Sequence, residues 1–207
     1  MAAPALPSYH HHNLRAAILE TSLQLIEEKG LSSLTLREIG TRLGVSRTAA
    51  YRHFSNKDEI LAAVSEQGFR EFGAALSHAR NLGKDFRSRM TAMAVAYQRF
   101  AAEHRAHYAV MFGWATSIQD ACEVWHAAAE ESFEILARTI REGQFAGEVR
   151  TDRSAITLAR VVWASSHGLA VLNLEPDLSP EGPGTRLALD AAEVLCTGLR
   201  PDTAQIR

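Results

Sequence analysis

Two short helical segments joined by only four residues, LGVS, constrain the fold of this 207-residue chain more than any other feature. Thr35 begins a capping box with Glu38 at the third helical position, which predicts the start of a helix. This helix is short and is predicted to end near Gly44. Gly44 suits the left-handed backbone conformation that often ends a helix, because a Cβ is penalised there. Ser46 predicts the cap of a second helix that reaches Phe54. Helices at this spacing are typical of a helix-turn-helix.

The rest of the chain continues the helical pattern. Alternating runs rich in Val, Ile and Thr and bounded by turns, which are typical of strands, are missing from the sequence. Helices are predicted over residues 13–29, 35–43, 46–54, 56–80, 85–103, 107–114, 117–145, 152–174 and 185–199. Breaks in the pattern and stretches rich in Gly and Pro predict loops at 81–85, 146–152 and 175–185.

These segments predict an all-α fold of about nine helices. Three short helices form an N-terminal helix-turn-helix domain at residues 10–72, with the motif at about 35–54. Longer amphipathic helices form a C-terminal domain at residues 73–207.

Basic residues are concentrated around the helix-turn-helix. The chain has a formal net charge of −2, yet residues 30–57 carry a charge of +4, so the remainder carries −6. The five basic side chains of that segment are Arg37, Arg42, Arg47, Arg52 and Lys57. One basic patch on an otherwise acidic chain favours contact with a polyanion.

Composition argues against several other classes of protein. A hydrophobic content of 46% is typical of a soluble globular chain, and neither a run of about 18 apolar residues nor a signal peptide occurs. Cys122 and Cys196 lie too far apart for a disulfide framework or a zinc site, which favours the cytoplasm. Common hydrolase and nucleotide-binding motifs are missing, so we expect no enzyme. The histidines at 10–12 could be a tag remnant, a metal site or part of a basic arm. We favour the arm and predict neither a metal nor a cofactor.

The segment "LTLREIGTRLGVSRTAAYRHFSNKDEIL" resembles the N-terminal domain of the TetR/AcrR family of transcriptional regulators. The shared features are Thr-x-x-x-Ile, LGVS, AAYRHF and NKDEIL, and the resemblance covers about residues 10–72. "WASSHG" at 163–168 is similar to a signature of the branch with a WHG-type C-terminal domain. Two positions depart from the family pattern: Gly40 stands where the family usually has Ala, and Ala50 stands where it usually has a larger aliphatic residue. The resemblance implies a homodimeric repressor that binds a palindromic operator in double-stranded DNA and responds to a small apolar or amphipathic effector.

The resemblance also implies roles for individual residues in DNA binding. The positions that read base edges are Arg37, Arg47, Thr48 and Ala49, and the positions that contact phosphate are Thr35, Tyr51, Arg52, His53 and Lys57. Ser46, the cap of the second helix, completes the predicted DNA-binding set. Two alternatives stay open: the arginines are solvated surface charges, or Tyr51 is a wedge between helices.

Aromatic and Met side chains at helical spacings in the C-terminal half predict an apolar effector pocket. The predicted ligand-binding residues are Phe69, Met93, Tyr97, Trp125, Trp163 and His167. The alternative for each is an ordinary core position, and His167 followed by Gly168 is equally a packed core histidine. The apolar segments 152–174 and 185–199 predict the dimer interface.

Three other functions stay open at this point. The protein is alternatively an activator, a repressor without a ligand, or a helical binding protein or enzyme whose helix-turn-helix is vestigial.

Overall fold

The computed structural model describes residues 14–114, 123–175 and 185–201. All regular structure within these ranges is helical, which confirms the predicted all-α fold. The α-helices are α1 Leu14–Lys29, α2 Leu36–Leu43, α3 Arg47–Tyr51, α4 Lys57–Leu82, α5 Phe86–Glu103, α6 Arg105–Ala109, α7 Glu123–Phe145, α8 Ala155–Leu174 and α9 Thr185–Gly198. A 3-10 turn, Leu31–Ser33, follows α1, and a π-helical turn, Val110–Trp114, follows α6. The predicted helix cap at 117–120, the histidines at 10–12 and most of the predicted loop at 175–185 lie outside the described residues.

The chain divides into two compact units, Met1–Val64 and Ser65–Arg207. The division falls inside α4, which therefore contributes residues to both units. The predicted domain boundary at residue 72 lies on the same helix, about two turns further along.

The N-terminal unit has a small apolar core built from α1, α2 and the start of α4. Ile18 and Leu25, seven residues apart on the same face of α1, are each 1% exposed. Ile39 on α2 and Phe54 after α3 are also buried. The guanidinium of Arg15 lies 5.2 Å from the centre of the Phe54 ring and covers that part of the core.

The C-terminal unit has a core dominated by aromatic side chains. Phe72 of α4 is fully buried, and its ring lies 4.9 Å from Tyr97, 5.1 Å from Phe100 and 5.6 Å from Trp163. Edge-to-face contacts at these distances add to the stability gained from burial. The rings therefore hold α4, α5 and α8 together at one level of the unit.

Buried amides tie α5 to α8 beside this aromatic core. The Gln98 side chain donates to the carbonyl of Ser166 at 3.0 Å and accepts from the Asn173 amide at 3.1 Å. Because both amide side chains are buried, losing either partner would leave an unpaired polar group inside the unit. These bonds fix the register of α8 against α5.

Candidate functional site

The two helices of the helix-turn-helix begin where their capping residues predict, and the first ends at Gly44 as predicted. Thr35 Oγ1 accepts from the Glu38 amide at 3.1 Å, and Ser46 Oγ accepts from the Ala49 amide at 3.2 Å. Gly44 follows α2 with φ at 65°, the left-handed conformation that glycine tolerates. The Glu38 carboxylate, however, accepts from Lys29 of α1 at 2.7 Å, so only the Thr35 half of the predicted capping box forms.

The second helix, α3, is shorter than predicted, because it ends at Tyr51 rather than Phe54. Tyr51 is 41% exposed, and the Arg47 guanidinium lies 5.3 Å from the centre of its ring. The tyrosine therefore lies on the surface beside Arg47 and is not a wedge between helices. The other residues predicted to contact DNA fall into two groups: Thr35, Arg37, Ser46, Thr48, Arg52 and His53 are exposed, and Ala49 and Lys57 are half-buried.

Arg42 does not belong to the same surface as the other basic residues. Its guanidinium donates two hydrogen bonds, at 2.7 and 2.8 Å, to the two carboxylate oxygens of Glu28 on α1. This pairing holds the pKa of Glu28 below its usual value and raises the pKa of Arg42. Its positive charge is therefore compensated inside the N-terminal unit.

The remaining cations form what we call the basic patch: Arg37, Arg47, Arg52 and Lys57. Arg37 and Arg52 form no ion pair with any residue that the structure describes. Lys57 is the first residue of α4. Its amine donates a hydrogen bond to the Leu31 carbonyl, in the 3-10 turn after α1, at 2.8 Å. The three exposed guanidinium groups of the patch, those of Arg37, Arg47 and Arg52, are available to bind an anion.

In the C-terminal unit, three of the polar aromatic side chains form a hydrogen-bonded chain. The Tyr97 and Tyr108 hydroxyls are 3.2 Å apart, and the Tyr108 hydroxyl lies 2.7 Å from His167 Nδ1. Burial raises the pKa of both tyrosines and lowers the pKa of His167, so all three groups are neutral at pH 7. The His167 ring also packs 4.5 Å from the ring of Phe112. Tyr97 and His167, both predicted to bind the effector, are therefore each already hydrogen-bonded to Tyr108.

Two spaces in the C-terminal unit adjoin the predicted effector residues. Met93, Tyr97 and Trp163 line a small cavity of about 30 Å³, which is too small for an effector. Phe69 and Trp163 also line an open groove of about 1150 Å³, which we call the α7–α8 groove. Its further apolar lining is Met111, Phe112, Phe133, Ile135 and Ile156, and its charged edge carries Glu130, Glu131, Glu134, Arg138 and Arg160.

Four of the six predicted effector residues line one or both of these spaces: Phe69, Met93, Tyr97 and Trp163. His167 is among the lining residues of neither space, and the side chain of Trp125 lies outside the described part of the molecule. Sequence reasoning missed Tyr108, the central member of the hydrogen-bonded chain. The helix break at His104 changes the helical register between Tyr97 and Tyr108, so their spacing alone gave no signal.

Comparison with known proteins assigns the family. Residues 18–64 match the model of "Bacterial regulatory proteins, tetR family", and residues 90–194, just over half of the chain, match that of "Tetracyclin repressor-like, C-terminal domain". The chain belongs to the tetR family of bacterial regulatory proteins, as the sequence resemblance predicts.

Similar sequences include the class C tetracycline repressor protein of Escherichia coli, 42% identical over 52 residues (25% of this chain and 24% of that protein). The transcriptional regulator BetI of Burkholderia lata is 32% identical over 83 residues (40% of this chain and 43% of that protein). The matched segments thus span about a quarter to two fifths of these relatives.

Solved structures match over nearly the whole chain. A protein of unknown function from Rhodococcus sp. RHA1 is 30% identical, with a TM-score of 0.83, over 94% of this chain and 99% of that one. The regulator FadR from Bacillus subtilis, solved in complex with stearoyl-CoA, is 15% identical and has a TM-score of 0.77 over 90% of this chain and 100% of that one. The second likeness shows a shared fold.

Proposed function

We propose that the protein is a cytoplasmic, homodimeric transcriptional repressor that binds a palindromic operator through its N-terminal unit. The observation that carries this proposal is the basic patch, which lies on a helix-turn-helix in a chain that is acidic elsewhere. Arg37 and Arg47 read base edges, because a guanidinium donates to both guanine acceptors in the major groove. Arg52, which follows the recognition helix α3, and Lys57, at the start of α4, bind phosphates.

Selection of binding sites from a pool of random duplexes tests this proposal. We expect the enriched sequences to contain two inverted half-sites, because a two-fold symmetric dimer presents two copies of α3. Arg47→Ala should cost about 1–3 kcal/mol in binding and relax base preference at one position of each half-site. Arg42→Ala is the matched control, since Glu28 already binds its guanidinium. Enrichment of sites without symmetry, or unchanged preference in the Arg47 variant, would contradict the proposal.

The proposed dimer interface is the outer face of α8 and α9. Six of the nine large hydrophobic side chains that are exposed in the described residues lie on these two helices: Val161, Val171, Leu172, Leu187, Leu189 and Val194. By length and composition α8 could also cross a membrane, with a mean hydropathy of 1.4, yet only 33% of that apolar window is buried within one chain. A partner subunit that covers the exposed part of α8 would account for both its high hydropathy and its low burial within one chain.

Val194 and Leu195 separate the proposed interface from the core. Val194 is 70% exposed, whereas Leu195 is half-buried and packs against the core of the C-terminal unit. Val194→Arg should therefore give folded monomers by analytical ultracentrifugation that no longer bind the full palindrome. Leu195→Arg should instead lower the melting temperature, since it places a charge against the core. A dimeric Val194→Arg variant with full operator affinity would refute this interface.

We propose that the α7–α8 groove binds an amphipathic effector. Its apolar lining suits a hydrocarbon chain, and Arg138 and Arg160 form no ion pair with the described residues, so they are available to an anionic head group. The complex of FadR with stearoyl-CoA supports this choice of ligand class. A ligand would release DNA only if it binds the DNA-free conformation of the protein more tightly than the DNA-bound conformation.

Calorimetry with a long-chain acyl-CoA and the matching free fatty acid tests the groove. Arg138→Ala with Arg160→Ala should weaken binding, whereas Arg141→Ala should not, because Arg141 already pairs with Glu134 at 3.0 Å. Equal binding by all variants would place the ligand elsewhere. In a reporter strain, a repressor lowers expression until the ligand is added, while an activator raises it.

The finer assignment to the branch with a WHG-type domain stays a proposal. Trp163, His167 and Gly168 all lie on α8, and His167 bonds to Tyr108. This arrangement supports a structural role for the signature, because it joins α8 to α6 beside the aromatic core.

A further inference from the structure

Three side chains that bind metal ions in other proteins meet where α4 passes α6. Glu71 lies on α4, His104 lies at the junction of α5 and α6, and His107 lies on α6. One ligand atom from each lies within 4.8 Å of the other two. The two imidazole rings are 6.0 Å apart between centroids, with 69° between their planes. None of the three takes part in the proposed contacts with DNA, effector or partner subunit.

His107 is the group that calls for an explanation. Only 8% of the residue is exposed, and its Nε2 atom is buried without a hydrogen-bond partner among the described residues. An unpaired polar atom in such a position costs free energy that a well-packed core normally avoids. A bound metal ion would satisfy this atom.

The surrounding residues hold the three side chains toward one another. A Cβ at Gly68 would lie 2.6 Å from the Met111 sulfur and 3.3 Å from the His107 Cβ, so glycine permits the close approach of α6 to α4. The ring of His104 stacks on Phe100 at 4.6 Å. Gln67 donates to one carboxylate oxygen of Glu71 at 2.8 Å, the kind of outer contact that orients a metal ligand.

We propose that Glu71, His104 and His107 form a binding site for Zn²⁺. Two imidazole nitrogens and one carboxylate oxygen are a ligand set that Zn²⁺ accepts, with the fourth position open to water. Tetrahedral coordination at about 2.1 Å places ligand atoms about 3.4 Å apart, so atoms that lie within 4.8 Å of one another must close by at most about 1.4 Å. Glu71 and His104 are half-buried, which leaves room for that adjustment and a route for the ion.

The three histidines at 10–12 carry imidazoles of their own, whose metal binding must be removed from any titration. The experiment therefore uses the full chain with His10→Asn, His11→Asn and His12→Asn, treated with a chelator and dialysed. Titration with Co²⁺, followed by the visible bands of tetrahedral cobalt, measures the geometry. Calorimetric titration with Zn²⁺ then measures stoichiometry and affinity.

We expect one ion per chain, tetrahedral cobalt bands and displacement of Co²⁺ by Zn²⁺. Glu71→Gln and His104→Asn should each weaken Zn²⁺ binding at least about tenfold, since loss of a ligand costs more than loss of an outer contact. His78→Asn is the control, because His78 is an exposed residue of α4 about 10 Å further along the helix. Glu71→Gln keeps the size of the side chain, so circular dichroism should show the parent fold.

Absence of stoichiometric Zn²⁺ binding, or full affinity in both the Glu71 and the His104 variants, would overturn the proposal. The titrations contain no DNA and no effector, so a negative result leaves the proposed repressor function unaffected.

Discussion

The division of the basic residues into paired and unpaired groups makes a quantitative prediction about Arg42 and Arg52. Both residues belong to the helix-turn-helix segment, and replacing either with Ala removes the same charge. Arg52 is exposed and forms no ion pair with the described residues, whereas Arg42 donates two hydrogen bonds to Glu28. We therefore expect Arg52→Ala to remove a phosphate contact and Arg42→Ala to remove none.

The magnitude of the effect follows from counterion release. Each phosphate contact contributes about 0.9 to the slope of log affinity against log salt, and a homodimer loses two contacts for each substitution. Arg52→Ala should thus flatten the slope by about 1.8. Between 50 and 200 mM salt, the variant should lose roughly tenfold less affinity than the parent protein. Arg42→Ala should leave the slope unchanged and lower stability only slightly, as is typical of an exposed ion pair.

Fluorescence anisotropy with a labelled duplex of mixed sequence measures both slopes, since the electrostatic term does not depend on sequence. Melting temperatures of the two variants check that the N-terminal unit is folded. Equal flattening by both substitutions would show that net charge, rather than contact, sets the slope. Flattening by Arg42→Ala alone would refute the basic patch as we define it.

Three further predictions concern stability. Gly40→Ala should raise the free energy of unfolding by about 0.5–1 kcal/mol in urea titration, because the nearest outside atom to the new Cβ is a carbonyl oxygen at 3.5 Å. Gly143→Ala should lower it by about 1–3 kcal/mol in the same assay, because its Cβ would lie 2.6 Å from Val149 and 2.7 Å from Phe86, both buried. Burial lowers the pKa of His167 below its usual 6.5, so the unfolded state binds the proton more readily and stability should fall as pH drops below about 6.5. Melting temperatures between pH 5 and 8 should show a weaker dependence in His167→Phe, and an unchanged dependence would contradict this cause.

Local features of the sequence predicted local structure well. Thr35, Gly44 and Ser46 each act through atoms within a few residues, so the helix-turn-helix follows from spacing alone. Asn56 likewise accepts from the Glu59 amide at 2.9 Å, although the Glu59 carboxylate binds the Ser55 amide rather than that of Asn56.

Contacts between distant helices could not be predicted in the same way. The pairing of Arg42 with Glu28 depends on how α1 packs against α2, and no spacing rule reports that. The sequence likewise does not report that a Cβ at Gly40 would meet only an ordinary contact, the Val45 carbonyl oxygen at 3.5 Å. The meeting of Glu71 with His104 and His107 depends on tertiary packing at Gly68.

The long helix α4 supplies the physical link that the proposed mechanism requires. It begins at Lys57, in the basic patch, and continues without interruption past Phe72, the fully buried centre of the aromatic core. The cavity of about 30 Å³ near that core is too small for an effector, so a ligand that entered there would have to displace side chains. Close-packed interiors do not yield continuously, so the rings around Phe72 would change only between discrete arrangements. An effector in the α7–α8 groove would change DNA binding only if its affinity differs between those arrangements.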